Sequence, residues 1–90
     1  KMSKAEITEK LQEIFRDVFD DDTIVLFDEM TSNDVEDWDS LSHINLINDI
    51  EAQFGITFTT DEIVGTKNVG EFIRVIEGKS VWSDGETGME

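Results

Sequence analysis

The stretch Asp37-Trp38-Asp39-Ser40-Leu41 sets a hydroxyl at the join between a long acidic segment and an amphipathic one. Asp39 falls where a helix N-cap is expected, and Ser40 at the helix start or one residue inside it. A capping Asp accepts hydrogen bonds from the free amides of the first turn. Those amides and the helix dipole also favour negative charge at that end. A serine there can carry a phosphate-linked group whose anion rests on the helix terminus. His43 lies three residues on, so its side chain can approach that of Ser40. A catalytic serine also needs an oriented base, an oxyanion site and a cleft. His43 is the only histidine, and 90 residues leave little room for a cleft. Hydrolysis by this pair is therefore disfavoured. His43 reads instead as a partly exposed helix residue shaping a binding face, and Trp38 as an aromatic pin for the loop before it.

The elements that position these residues follow from apolar spacing. A first helix is expected from Ser3 to Phe19. Ser3 and Glu6 form a capping-box pair, and Ile7, Leu11, Ile14, Phe15, Val18 and Phe19 recur at spacings of three and four. Asp20-Asp21-Asp22 then places acids at the negative end of a helix dipole, where the chain should leave the helix. A connection of roughly twenty residues leads to Asp39, long for a compact domain and often functional at that length. It carries Ile24, Val25, Leu26, Phe27, Met30, Val35 and Trp38, more apolar residues than a free linker would hold. Several are expected to pin it across the helices. Thr23 to Phe27 could pass for a strand, but no second strand is there to pair with it.

The second helix is expected from Ser40 to Phe54, with Leu41, Ile44, Ile47, Ile50 and Phe54 as its buried face, Leu46 widening it and Gly55 ending it. A brief turn over Asp61 to Gly65, capped by Thr60 or Asp61, should point Ile63 and Val64 inward. A last helix from Asn68 to about Glu77 has Asn68 and Glu71 as a capping pair, Val69, Phe72, Ile73 and Ile76 as its apolar face and Gly78 as its stop. Residues 80–90 are polar and read as a disordered tail with Trp82 as its one anchor. The expected fold is all-α: a small antiparallel four-helix bundle over residues 1–79, with three main helices, one short one and a long loop between the first two.

Composition narrows the partners. The net charge is −15, and between Arg16 and Lys67 there are 14 Asp and Glu but no Lys or Arg. Nucleic acid is a poor partner for such a surface, as is an anionic membrane. Basic protein surfaces are favoured, chiefly through faster encounter. No segment approaches a membrane span. Lys1-Met2-Ser3-Lys4 has no apolar run behind it and is not expected to be a secretory signal, so the cytoplasm is the expected compartment. The chain has no cysteine, hence neither disulfides nor thiolate zinc ligands. The Asp clusters do not form an EF-hand loop: counted from Asp20 the sixth and twelfth positions are Val25 and Thr31, not Gly and Glu, and counted from Asp37 the fifth and sixth are Leu41 and Ser42.

Asp39-Ser40-Leu41, after an acidic loop and before Ile44-Asn45-Leu46-Ile47, Phe54-Gly55-Ile56 and Asn68-Val69-Gly70-Glu71-Phe72-Ile73, resembles an acyl carrier protein over about residues 3–78. The resemblance implies a non-catalytic four-helix carrier. It implies that a phosphopantetheinyl transferase attaches the 4'-phosphopantetheine of coenzyme A to Ser40, and that the arm's thiol holds acyl groups as thioesters. An acyl-activating enzyme and a synthase or transferase with a basic docking patch are then the expected partners. Trp38, Leu41, Ser42, His43, Asn45, Leu46 and Asp49 are the expected partner-recognition residues. Fatty-acid carriers usually have several acids just after the serine, whereas here that part holds Ser42, His43, Asn45 and Asn48. The pattern looks more like free-standing carriers of dedicated polyketide, lipid or saccharide pathways. Alternatives are an acidic interaction module that never receives the arm, and a carrier of aminoacyl groups. A monomer is expected, with weak pairing open through an exposed Leu46, Trp82 or the loop.

Overall fold

The computed structural model describes residues 2–80, which form α1 (Lys4–Phe19), α2 (Ser40–Phe54), the short α3 (Thr60–Gly65) and α4 (Val69–Ser80). The expected tail and its Trp82 lie outside the described residues. No strand occurs among the described residues: Thr23 lies in a turn and residues 24–27 have no regular structure. α1 packs on both α2 and α4. Its start is the capping box read from the sequence: the Glu6 amide donates to Ser3 Oγ at 3.1 Å, and the Ser3 amide to Glu6 Oε1 at 2.8 Å. Its end is Asp20, in the left-handed region at φ 51°, whose N–H reaches back to the Arg16 and Asp17 carbonyls. The core joins Ile7, Leu11 and Phe15 of α1 to Leu46, Ile47 and Ile50 of α2 and Phe72, Ile73 and Ile76 of α4.

The long loop is part of this core. Ile24, Met30, Val35 and Trp38 are buried and Leu26 is partly so, whereas Val25 and Phe27 are exposed. The loop is also held by its backbone. The Leu26 amide donates to Gln12 Oε1, and Arg16 Nε donates to the Ile24 carbonyl at 2.8 Å. At the far side it caps α4: the Val69 amide donates to the Met30 carbonyl (3.1 Å) and the Gly70 amide to the Asp28 carbonyl (2.9 Å). These are first-turn amides that have no partner within their own helix. The Glu71 amide is taken by Asn68 Oδ1, while the Glu71 carboxylate turns to the Lys67 amide, so the expected Asn68–Glu71 pair is met from one side only.

Three expectations change. The buried stripe of α2 runs through His43, Leu46, Ile47, Ile50 and Phe54, rotated from the one expected; Leu41 is 73% exposed and Ile44 44%. His43 occupies a half-buried position on that stripe, which an apolar pattern cannot register. Leu46 is fully buried, so it offers no surface for pairing of copies. In α3 the cap is Thr59, whose hydroxyl accepts from the Glu62 amide, and Val64 points outward at 67% exposure. Finally, α4 continues through Gly78 to Ser80. Gly78 meets nothing within 4 Å and has no positive φ, so nothing there forces a stop.

The two glycines of α4 should respond oppositely to a side chain. A Cβ on Gly70 would lie 3.2 Å from the Asp28 carbonyl oxygen, pressing on the backbone that caps the helix. Gly70→Val is expected to lower stability in urea unfolding by about 1–3 kcal/mol. Gly78→Ala, in open space inside a helix, is expected to raise it by about 0.5–1 kcal/mol.

Candidate functional site

The start of α2 is built by Asp39 and Ser42. Asp39 Oδ1 accepts from the amides of Leu41 and Ser42, both at 3.0 Å, and the Asp39 amide donates to Ser42 Oγ at 2.8 Å. Ser42 Oγ donates in turn to the Asp37 carbonyl at 2.7 Å. The cap expected at Asp39 is present. Ser42, expected on a recognition surface, has its hydroxyl engaged inside the cap instead. The signal was available: Asp39-x-x-Ser42 has the spacing of a capping box. Hydrogen bonding, chiefly from the Ser42 amide, holds the Asp39 carboxyl below its ordinary range.

This cap leaves Ser40 exposed as the first residue of the helix. Beside it opens a groove of about 710 Å³, bounded by Thr31–Asn33 of the loop, Trp38 to Ser40 with His43 and Ile44 at the helix start, Ile63 and Val64 of α3, and Lys67. Its floor is closed by aromatic packing. Trp38 is 5% exposed and meets Phe15 edge-on at 5.3 Å between centroids. Its buried ring carries an N–H that needs an acceptor. His43 Nδ1 accepts it at 3.1 Å, the two rings lying parallel within 13°. Because Nδ1 accepts, the ring proton of neutral His43 is on Nε2, which donates to the Ile63 carbonyl at 2.9 Å. One imidazole thus joins the loop, α2 and α3.

Both nitrogens of His43 are therefore occupied, and neither is free to take a proton from Ser40. No second histidine exists in the chain. Among the described residues no group of three or more His, Asp or Glu side chains is placed to hold a metal ion.

The residues named from the sequence divide three ways. Trp38, Asp39, Ser40 and His43 meet at the groove. Leu41, Asn45 and Asp49 are exposed and do not line it. Leu46, expected at a recognition surface, is buried and presents no face to a partner. Trp38 matters through the floor it forms, and Leu46 through the core. The sequence reading overlooked Ile63 and Val64 as groove walls and Lys67 as its cation. Lys67 left a trace, being the one Lys or Arg between Arg16 and Arg74.

A family model described as the phosphopantetheine attachment site matches residues 9–76. A search of curated protein sequences gives no match. Among solved structures, a holo acyl carrier protein from Geobacter metallireducens superposes with a TM-score of 0.82 at 40% identity, over 92% of this chain and 95% of that one. The chain belongs to the acyl carrier protein family. Its cofactor is covalently attached 4'-phosphopantetheine. The surroundings of Ser40 suit such a group: the hydroxyl is open to an approaching enzyme, and the groove beside it lies within the usual 300–1,000 Å³ or so of small-molecule sites. No helix of the carrier, among its described residues, is long and apolar enough to cross a membrane.

Two outcomes follow. His43→Ala should leave the buried Trp38 N–H unsatisfied and cost about 1–3 kcal/mol in unfolding, with a changed tryptophan emission in the folded carrier. The Asp39 carboxyl has a folded-state pKa below its unfolded value, so its contribution is present above the unfolded pKa and lost as pH falls through the folded one. The stability gap between parent and Asp39→Ala should hold at neutral pH and close below about pH 4, as read by urea titrations across that range.

Proposed function

We propose that Ser40 is the attachment point of the arm, and that this chain is a non-catalytic carrier serving a dedicated biosynthetic pathway of polyketide, lipid or saccharide type. The observation that carries the assignment is the exposed Ser40 hydroxyl within Asp39-Ser40-Leu41, at the head of α2, with the only imidazole engaged on both sides. A serine without its own base needs one from an enzyme that docks over it. A phosphopantetheinyl transferase is the enzyme of that kind. In its reaction the Ser40 Oγ–P bond forms, the pyrophosphate bond of coenzyme A breaks, the serine proton passes to the transferase, and the nucleotide bisphosphate leaves. The bound arm supplies a thiol that carries acyl groups as thioesters. The protein's own part is to present Ser40 on a rigid helix end and to hold its cargo at high effective concentration before each docked enzyme.

Docking rests on charge and on the few exposed apolar side chains near Ser40. Asp49 on α2 and the acidic loop set a negative field, and Leu41, Ile44 and Val64 give apolar footholds beside it. A synthase, transferase or acyl-activating enzyme with a basic patch complements this surface. Such contacts form fast and weaken with salt. Asn45 and Asn48 in place of acids on α2 favour partners other than those of housekeeping fatty-acid synthesis. Aminoacyl cargo is the second reading at the same serine. The carrier acts as a monomer in the cytoplasm.

The test is intact mass after incubation with coenzyme A, Mg²⁺ and a broad-specificity phosphopantetheinyl transferase. One added phosphopantetheine on the parent and none on Ser40→Ala is the expected result. An unmodified parent, with several transferases, would overturn the assignment and leave an acidic interaction module. His43→Ala, although less stable, should still be modified below its unfolding temperature.

A further inference from the structure

Among the described residues, five large apolar side chains are exposed. Leu41 follows Ser40, and Ile44 and Val64 line the groove beside it. Val25, 64% exposed, and Phe27, 47% exposed, belong to neither place. A free loop could turn such side chains inward, but this one is clamped. The Ile24 carbonyl accepts from Arg16 Nε at 2.8 Å, and the Leu26 amide donates to Gln12 Oε1 at 3.0 Å. The Asp28 and Met30 carbonyls are tied to the head of α4. Val25 and Phe27 are thus held outward by bonds on either side. Between those bonds, the Val25 amide and carbonyl and the Phe27 amide take no protein partner among the described residues. Open backbone groups beside outward apolar side chains are what an extended peptide adds itself to.

Charge decides the occupant. Asp20, Asp21 and Asp22 precede the segment and Asp28 and Glu29 follow it, all exposed. A hollow of about 350 Å³ beside Val25 adds Asp34, Glu36 and Asp37. The cations that bond to this segment are engaged, Lys4 with Asp28 and Arg16 with the Ile24 carbonyl. An anionic membrane is repelled. A second copy laid edge to edge would set like charges against each other. Residues 81–90 hold Asp84, Glu86 and Glu90 and no Lys or Arg, so the chain's own end is repelled as well. We propose that residues 24–28 form a second docking edge, which takes an extended segment of a partner protein, apolar in its middle and basic at its ends. The segment's backbone pairs with Val25 and the Phe27 amide, its apolar side chains lie on Val25 and Phe27, and its Lys or Arg meet the flanking acids. The clamped edge loses little freedom on binding. Since neither Val25 nor Phe27 lines the groove, a protein held here leaves Ser40 open to others. This edge needs no arm on Ser40, so a failure of attachment leaves it intact.

The experiment titrates the full ¹⁵N-labelled chain with a short peptide carrying Val and Leu in its middle and Lys at both ends. Two twins serve as comparisons, one with Glu at the ends and one with Ser in the middle. With the first peptide, the largest amide shifts should fall between Thr23 and Glu29, and the Val25 amide should gain protection from hydrogen exchange. Both twins should bind far more weakly. Phe27→Ser should weaken binding about 5- to 10-fold, as loss of an aromatic anchor does, and Phe27→Trp should keep it. Val25→Ser, at the more exposed position, repeats the test should Phe27→Ser fold poorly. Phosphopantetheine transfer to Ser40 of the parent should proceed within about 2-fold of its free rate with the peptide bound, as separate surfaces require. Shifts centred on Leu41, Ile44 and Val64, an unprotected Val25 amide, or undiminished affinity in both serine variants would overturn the proposal. So would pairing of the parent alone, or its binding to anionic vesicles, if Phe27→Ser abolished either one: the occupant would then be a second copy or a membrane.

Discussion

The hydrogen bond from the Trp38 indole to His43 is the constraint on which the functional end of the molecule depends. Trp38 must be buried to anchor a loop of nearly twenty residues, and a buried indole N–H without an acceptor is costly. His43 removes that cost, and its second nitrogen reaches the Ile63 carbonyl. Satisfying one donor therefore fixes three things together: the loop before Ser40, the first turns of α2 and the position of α3. The six-residue α3 has no fully buried residue, so this bond, its Thr59 cap, the Glu62–Lys79 pair and the partly buried Ile63 are what hold it. The floor of the groove is a consequence of the same bond.

Much of this was legible in the sequence, for identifiable reasons. The capping box at Ser3 and Glu6, the Asp39 cap and the left-handed end at Gly55 are local signals, and each appears as read. The apolar residues of the acidic loop announced that it would be packed. The face of α2 was misread because its stripe passes through a histidine. Apolar periodicity counts His43 as polar, whereas its partners make it a half-buried core residue. Exposure of Leu41 and Ile44 follows from that rotation. Gly78 was given the role of a stop on residue type alone, but a glycine ends a helix only where the backbone turns left-handed, as at Gly55 and not at Gly78. The groove could not be read locally at all, because its walls come from residues about 30, 40 and 65, brought together only by tertiary packing.

Charge has a different place in the design. The lowered carboxyls of Glu6, Asp21, Asp39 and Glu62 all take hydrogen bonds from a cap or turn, so part of the acidity is structural. The remaining carboxylates repel one another, a cost the fold tolerates. What that excess gives in return is a long-range field around an attachment site that must be found quickly and released quickly by several enzymes. An interface of large apolar area would bind too long for that sequence of visits. The exposed apolar side chains near Ser40 are accordingly few.

The carbonyls of Asp28 and Met30 at the head of α4 carry a consequence for motion. A surface loop usually opens alone, at little free-energy cost, while the helices beneath it stay closed. Here the loop cannot lift between residues 28 and 30 without stripping two amides of α4 of their acceptors. The two segments thus form one cooperative unit, although forty residues of sequence separate them. Amides at the start of α4 should share the exchange protection of the loop rather than that of the helix middle. The part of the chain leading to Ser40 inherits its rigidity from the last helix.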